Sequence, residues 1–183
     1  MLTVWYSIAL GSVLSLSLAG ALPQYNPHLG LNVQDQDALA KHHLTVQNVR
    51  QMFAVDRELL QLLKRVPDVD ARAAELERQF DSERLGIVAV AKVYEAMPEL
   101  AAILQRQQIT GRDYVLTKIA AMIVDIVAGA PPAFLEREGM NKEFFLTPAL
   151  KFWMAMDPAL KAEAAEWNEV RRELAKHGRH KVW

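Results

Sequence analysis

Every proline after residue 44 falls at the edge of an apolar stripe and never inside one, and that punctuation is the strongest limit on what this chain can fold into. From Thr45 onward, hydrophobic side chains recur at the three- and four-residue spacing of one helix face. The stripes break at Pro67, Pro98, the Gly129 to Pro132 stretch, Pro148 and Pro158, where the missing amide hydrogen and fixed φ stop or start a helix. No segment joins strict alternation to β-branched enrichment, so no sheet is expected. The expected fold is all-α, an irregular bundle of about six to seven helices around one central apolar helix.

The first helix is expected over Val46 to Val66, with Thr45 as its N-cap. Met52, Val55, Leu59, Leu62 and Val66 form its inner stripe, widened by Val49, Phe53, Leu60 and Leu63. A charged helix follows to Phe80, and a third runs from about Glu83 to Ala96. Pro98 opens a short fourth helix whose inner face is Leu100, Ile103 and Leu104. Thr110-Gly111-Arg112-Asp113 has the form of a capping box, the acid reaching back to the cap amide, and starts a helix apolar on most sides to Ala128. Leu116, Ile119, Ala120, Ile123, Ile126 and Val127 share its apolar face, so it is expected at the centre. Lys118 and Asp125 within it argue against a membrane span. Thr147-Pro148 and Asp157-Pro158 open two more helices, to about Met156 and Lys176. Leu160, Ala164, Trp167, Val170 and Leu174 stripe the last one.

The N-terminal part reads differently. Residues 1–34 carry no charged side chain, and Ile8 to Leu18 is apolar and small, followed by Ala19-Gly20-Ala21. Such a run with small residues at Ala19 and Ala21 is what a signal peptidase reads, so residues 1–21 are expected to be an export signal cleaved after Ala21. The alternative is an uncleaved anchor, because Met1 to Leu22 is just long enough to span a bilayer. Residues 22–43, with Pro23, Asn26, Pro27, Gly30 and Asn32, read as an extended linker. Residues 44–177 form the helical domain and 178–183 a basic tail. The expected location is periplasmic or extracellular, with inner-membrane anchoring as the alternative.

Composition narrows the chemistry. With no cysteine there are no disulfides, no thiolate nucleophile and no cysteine-based metal site. A net charge of -1, from 21 basic and 22 acidic side chains, argues against nucleic acid as partner. No histidine pairs with another at helical spacing in a supported position, no glycine run builds a phosphate loop, and no serine sits in a nucleophile elbow. No metal and no cofactor are therefore expected.

The usable candidates are few. Phe144, Phe145, Phe152, Trp153 and Trp167 gather aromatic mass in the C-terminal half, either as a binding groove or as core. Tyr114, Lys118 and Asp125 form a polar stripe along one side of the central helix, either lining a cleft, marking its exposed edge or pairing with other helices. Asp56 lies at the border of an apolar face, where a neighbouring arginine is expected to hold it. An enzyme built from dispersed carboxylates would need Asp56, Asp125 and members of the Glu136, Glu138, Glu143 cluster to meet in one pocket.

Two pieces carry a resemblance. Leu44-Thr45 opens a helix containing Asn48-Val49 and Val55-Asp56-Arg57-Glu58-Leu59, and Ile109-Thr110-Gly111-Arg112-Asp113-Tyr114 opens another. Together they resemble a group of exported all-helical bacterial proteins of unknown function, whose second motif reads Leu-Thr-Pro-Arg-Glu-Tyr. Here Gly111 stands for the proline and Asp113 for the glutamate. The resemblance implies an envelope location and no established activity. Leu44-Thr45-Val46-Gln47 is also similar to the Leu-Thr-x-x-Gln motif of small periplasmic helical chaperones, with Gln47 one position early. The expected function is a non-catalytic binding domain for a protein or an apolar small molecule. The alternatives are a membrane-tethered adaptor, in contact with the membrane through its N-terminal segment alone, and a chaperone-like protein.

Overall fold

The computed structural model describes residues 33–80, 86–129 and 148–177, and among these the chain is all-α with no strand. The described residues form eight helices: α1 (Val33–Lys41), α2 (Val46–Arg65), α3 (Val69–Phe80), α4 (Ile87–Ala96), α5 (Pro98–Arg106), α6 (Gly111–Gly129), α7 (Pro148–Met154) and α8 (Pro158–His177). None of the described helices is long and apolar enough to cross a membrane.

The caps explain the boundaries. Thr45 Oγ1 accepts the Asn48 amide at 3.1 Å while Asn48 Oδ1 accepts the Thr45 amide at 2.8 Å, a reciprocal box that starts α2. At α6, Thr110 Oγ1 accepts the Asp113 amide at 3.0 Å, as a capping threonine should. The Asp113 carboxylate does not reach back to the cap amide as expected; it accepts a hydrogen bond from the Thr110 hydroxyl at 2.8 Å. Aspartate is one methylene shorter than the glutamate the box normally uses, and the nearer hydroxyl wins. Asp157 Oδ1 caps α8 through the Leu160 amide at 2.8 Å.

Helix α6 is central: α1, α2, α4, α5 and α7 all pack on it, and α8 lies along α2. Tyr114 through Lys118, Ala120, Ala121, Val124 and Val127 are all buried. Phe53, Leu59, Leu100, Leu160 and Leu174 are almost wholly removed from water, which contributes roughly 1.5–3 kcal/mol each before conformational entropy is charged against them. Where α6 starts, its backbone lies close against α4: a Cβ on Gly111 would stand 2.9 Å from the Ala91 carbonyl oxygen.

Three expectations need correction. The segment read as extended linker contains a helix, α1. Local pattern gave no sign of it because its support is tertiary: Ala38 and Leu39 pack against the core, and Asp35 is buried where its Oδ2 accepts the Ile87 amide at 3.0 Å. That contact also starts α4 at Ile87, since the N-cap Gly86 has no side chain to offer. The helix expected from Glu83 therefore begins later in the described residues; 83–85 lie outside them. Helix α7 likewise ends at Met154, earlier than expected.

Candidate functional site

Asp56, from the middle of α2, is the polar centre of the fold. It is 0 % exposed, and three donors from two other helices converge on its carboxylate. Lys118 Nζ donates to Oδ1 at 2.9 Å, the Tyr114 hydroxyl donates to the same oxygen, and Trp167 Nε1 donates to Oδ2 at 2.7 Å. Tyr114 and Lys118 are one turn apart on α6, so both point the same way, and Lys118 Nζ also donates to the Tyr114 oxygen at 3.0 Å. The Tyr94 hydroxyl from α4 closes the network, 3.4 Å from that of Tyr114, with the two rings edge to face. Burial, then the nearby Asp56 charge, holds the Tyr94 and Tyr114 hydroxyls far above the usual tyrosine range, so both stay protonated donors.

This arrangement corrects one expectation and decides another. The carboxylate is held by a lysine, a tyrosine and a tryptophan, not by an arginine. Of the readings open for the polar stripe, Tyr114 and Lys118 pair with another helix, and neither lines an exposed edge or cleft with Asp125; Tyr114 is wholly buried and Lys118 is 7 % exposed. Their spacing was legible, but the direction of the stripe was not, because an inward polar stripe needs a facing carboxylate that lies 58 and 62 positions away. With its hydrogen bonds met and no exposed surface, Asp56 has no route to a substrate.

Asp125, two turns beyond Lys118, faces the surface between α6, α7 and α8. It borders a shallow cleft of about 360 Å³ whose apolar wall is Ala128, Trp153, Met154, Met156, Ala164 and Ala165. Asn168 and Lys161 complete the lining. Arg171 Nη1 lies 3.6 Å from the Asp125 Oδ2, and Asn168 and Trp153 stand near enough to favour the charged carboxylate. Burial nevertheless raises the Asp125 pKa above the ordinary aspartate value, the partners offsetting only part of it. Burial likewise lowers that of Arg171. The Arg171 guanidinium also lies over the Trp167 ring, 4.7 Å from its centroid, so the partner of Asp125 touches the tryptophan that donates to Asp56. Among the described residues, Asn168 Oδ1 and Arg171 Nη1 are buried polar atoms with no hydrogen-bond partner.

The aromatic candidates divide. Trp153 and Trp167 are core residues, their rings 6.3 Å apart, with Phe53 5.2 Å from Trp167. Phe152 is half-buried against the same core. They do not form an exposed patch, and Trp153 alone lines the cleft. Phe144, Phe145, the Glu136, Glu138, Glu143 cluster, and the cleavage residues Ala19 and Ala21 lie outside the described residues. Asp56 and Asp125 do not share a pocket, one being sealed and the other bordering the cleft. Sequence reasoning missed Asn168, Lys161 and Arg171; on α8 they are ordinary polar residues until α6 and α7 pack beside them.

Among the described residues no group of three or more His, Asp or Glu side chains is placed to hold a metal ion. No family model matches the chain, no curated protein is significantly similar to it, and no solved structure matches it.

Proposed function

We propose that the protein is an exported, non-catalytic helical domain that binds an apolar or amphipathic small molecule in the cleft between α6, α7 and α8. The observation that carries this reading is the composition of that cleft: a buried Trp153, the 63 %-exposed Met154, Met156 and three alanines around one polar corner. An apolar lining with a few convergent polar groups is the usual form of a ligand site. Methionine suits such a role because its unbranched thioether adapts to the shape it meets. Export is supported by the uncharged residues 1–34 and by Ala19-Gly20-Ala21.

Binding of the neutral apolar dye Nile red to the folded chain tests the reading. Saturable binding of one dye is expected, and it is lost in Ala165→Trp and in Ala128→Trp. Both positions line the cleft yet are solvent-exposed, so the fold accepts the larger ring. Dye binding that both variants leave unchanged would place the apolar surface elsewhere and remove the proposal. N-terminal sequencing of the protein from cells tests export: a start at Leu22 is expected, and an intact Met1 supports the anchor instead.

A further inference from the structure

Where α8 lies along α2, the two helices leave a shallow recess of about 290 Å³. Its apolar floor is the buried Leu60 and the half-buried Val170, and Arg57, Glu58, Gln61 and Arg65 border it. It shares no lining residue with the cleft between α6, α7 and α8 and is independent of it. Arg57, Gln61 and Arg65 follow one another at four-residue spacing, so they stand on one side of α2, a turn apart. The aliphatic stems of the two arginines extend the apolar floor while their guanidiniums stay in water. Arg65 Nε donates to the Gln61 carbonyl at 3.1 Å, which folds the side chain back along α2 and leaves its two terminal nitrogens without a partner among the described residues. The exposed Arg57 makes no ion pair there either.

The charge at this place is unbalanced. Glu58 is already occupied: Arg106 Nε donates to its Oε2 at 3.0 Å and Gln107 Nε2 to its Oε1 at 2.6 Å. On α8, Glu169 pairs with Arg172 and Glu173 with Lys176. Glu166, one turn before Val170, makes no ion pair with either arginine. Arg50, Arg72, Arg78, Arg106, Arg171 and Arg172 each face an acid. Of the three described arginines that do not, Arg57, Arg65 and Arg112, two stand over this one recess. An apolar floor under two unpaired guanidiniums fits an apolar chain that ends in an anion, since the guanidinium fork matches carboxylate and phosphate oxygens. Size decides against a macromolecule: a stable protein interface buries about 1,200 Å² or more in total, whereas this recess seats a single short chain. An anionic bilayer would also press against the exposed Glu166 and Glu169 of α8. We propose that the recess between α2 and α8 is a second binding site, which takes a single-chain anionic amphiphile with its head between Arg57 and Arg65 and its chain on Leu60 and Val170.

The test is an NMR titration of the folded full chain with octanoate, octylamine, 1-octanol and acetate, read from the Leu60 and Val170 methyl resonances. Octanoate is expected to shift both saturably. 1-Octanol has the chain without the charge and acetate the charge without the chain, so each is expected to bind about tenfold more weakly, the scale of one charge-assisted hydrogen bond or of a few buried methylenes. Octylamine is expected to leave both resonances unshifted. Arg57→Gln and Arg65→Gln change exposed side chains, so the fold tolerates them. Each should weaken octanoate about tenfold and leave 1-octanol unchanged. Arg172→Gln removes a cation that is already paired and should leave octanoate unchanged. Octanoate no tighter than 1-octanol or octylamine overturns the proposal. So does an affinity that both recess substitutions leave intact, or an equal loss in Arg172→Gln, which would report general charge. Cosedimentation with phosphatidylcholine–phosphatidylglycerol vesicles covers the bilayer: pelleting is expected to be the same in the parent, Arg57→Gln and Arg65→Gln. Pelleting reduced in both would replace the single-chain ligand with a membrane surface. Ala128→Trp and Ala165→Trp, which fill the other cleft, are expected to leave the octanoate shifts in place, so failure of either site is seen separately.

Discussion

Lys118 Nζ lies 2.9 Å from Asp56 Oδ1 at a point where neither side chain has appreciable contact with water. Two charges so placed are stable only together, because each alone would carry an unpaid desolvation cost. Asp56→Leu should therefore destabilise the fold by about 3–5 kcal/mol, since it strands Lys118 as a buried cation and leaves the Trp167 and Tyr114 donors without an acceptor. Lys118→Met should cost less, because Tyr114 and Trp167 still hold the carboxylate. The double variant should be better than the sum of the two by at least about 1 kcal/mol. Urea unfolding of the four proteins measures this, and simple additivity would mean the pair is not coupled.

Asp35 acts as a cap for a helix it does not belong to. Its carboxylate, on α1, accepts the first amide of α4, where Gly86 offers nothing. Removing a side-chain cap generally costs about 1 kcal/mol, so Asp35→Ala should lose roughly that amount. Asp35→Asn keeps an acceptor and should lose less. Hydrogen exchange of the Ile87 amide is the direct measurement: it should speed up in Asp35→Ala and stay slow in Asp35→Asn.

What the sequence disclosed, and what it withheld, follows from the range of the interactions. The caps at Thr45, Thr110 and Asp157 act within three residues, so a reader of the chain can place α2, α6 and α8 from them. The central position of α6 follows from its apolar girth alone. Helix α1 was invisible because Asp35 and Ile87 meet across 52 positions. The candidate cleft was legible only in fragments. Trp153 and Asp125 each stood out as residue types, but Asn168, Lys161 and Arg171 acquire meaning only when α8 is laid beside α6 and α7. The aromatic candidates stayed open between groove and core because helical spacing serves equally for both; Trp153 and Trp167 fill the core.

Acid should loosen the junction between α1 and α2 before it affects the rest. His42 sits there, half-buried, with Nε2 3.0 Å from the Thr117 hydroxyl of α6. Burial lowers its pKa below the ordinary 6.5, His43 adds to the fall, and Asp113 opposes it. The folded state therefore binds the proton less readily than the unfolded chain. Stability from this group is complete above pH 6.5 and is lost as pH falls from there toward the lower folded-state value. The carboxylates of Glu58, Glu75, Glu99 and Glu173, all held below 4.5 by their basic partners, lose their contributions only at pH below that value. His42→Gln keeps a polar partner for Thr117 and cannot titrate. Its melting temperature should be flatter than that of the parent between pH 6.5 and 5, and identical profiles would show that His42 is not the responsive group.

The position that departs most informatively from the Leu-Thr-Pro-Arg-Glu-Tyr pattern is also the tightest contact between α4 and α6. Gly111 begins α6, where proline is ordinarily favourable, since the first helical amide needs no partner. Here any Cβ would stand 2.8 Å from Glu95 Oε1 and 2.9 Å from the Ala91 carbonyl oxygen. The glutamate can swing away at little cost, but the carbonyl belongs to the α4 backbone and moves only if the two helices part. Tyr94 and Tyr114 meet edge to face across the same interface, so parting the helices also disturbs the edge of the Asp56 network. Gly111→Ala should therefore lose about 1–3 kcal/mol, the usual scale of overpacking, despite alanine's better helix propensity. Gly111→Pro, which restores the residue found in the resembled pattern, should be no better than Gly111→Ala. Thermal unfolding of the two variants decides it: a gain in stability from either would show that α4 and α6 have room to spare at this point.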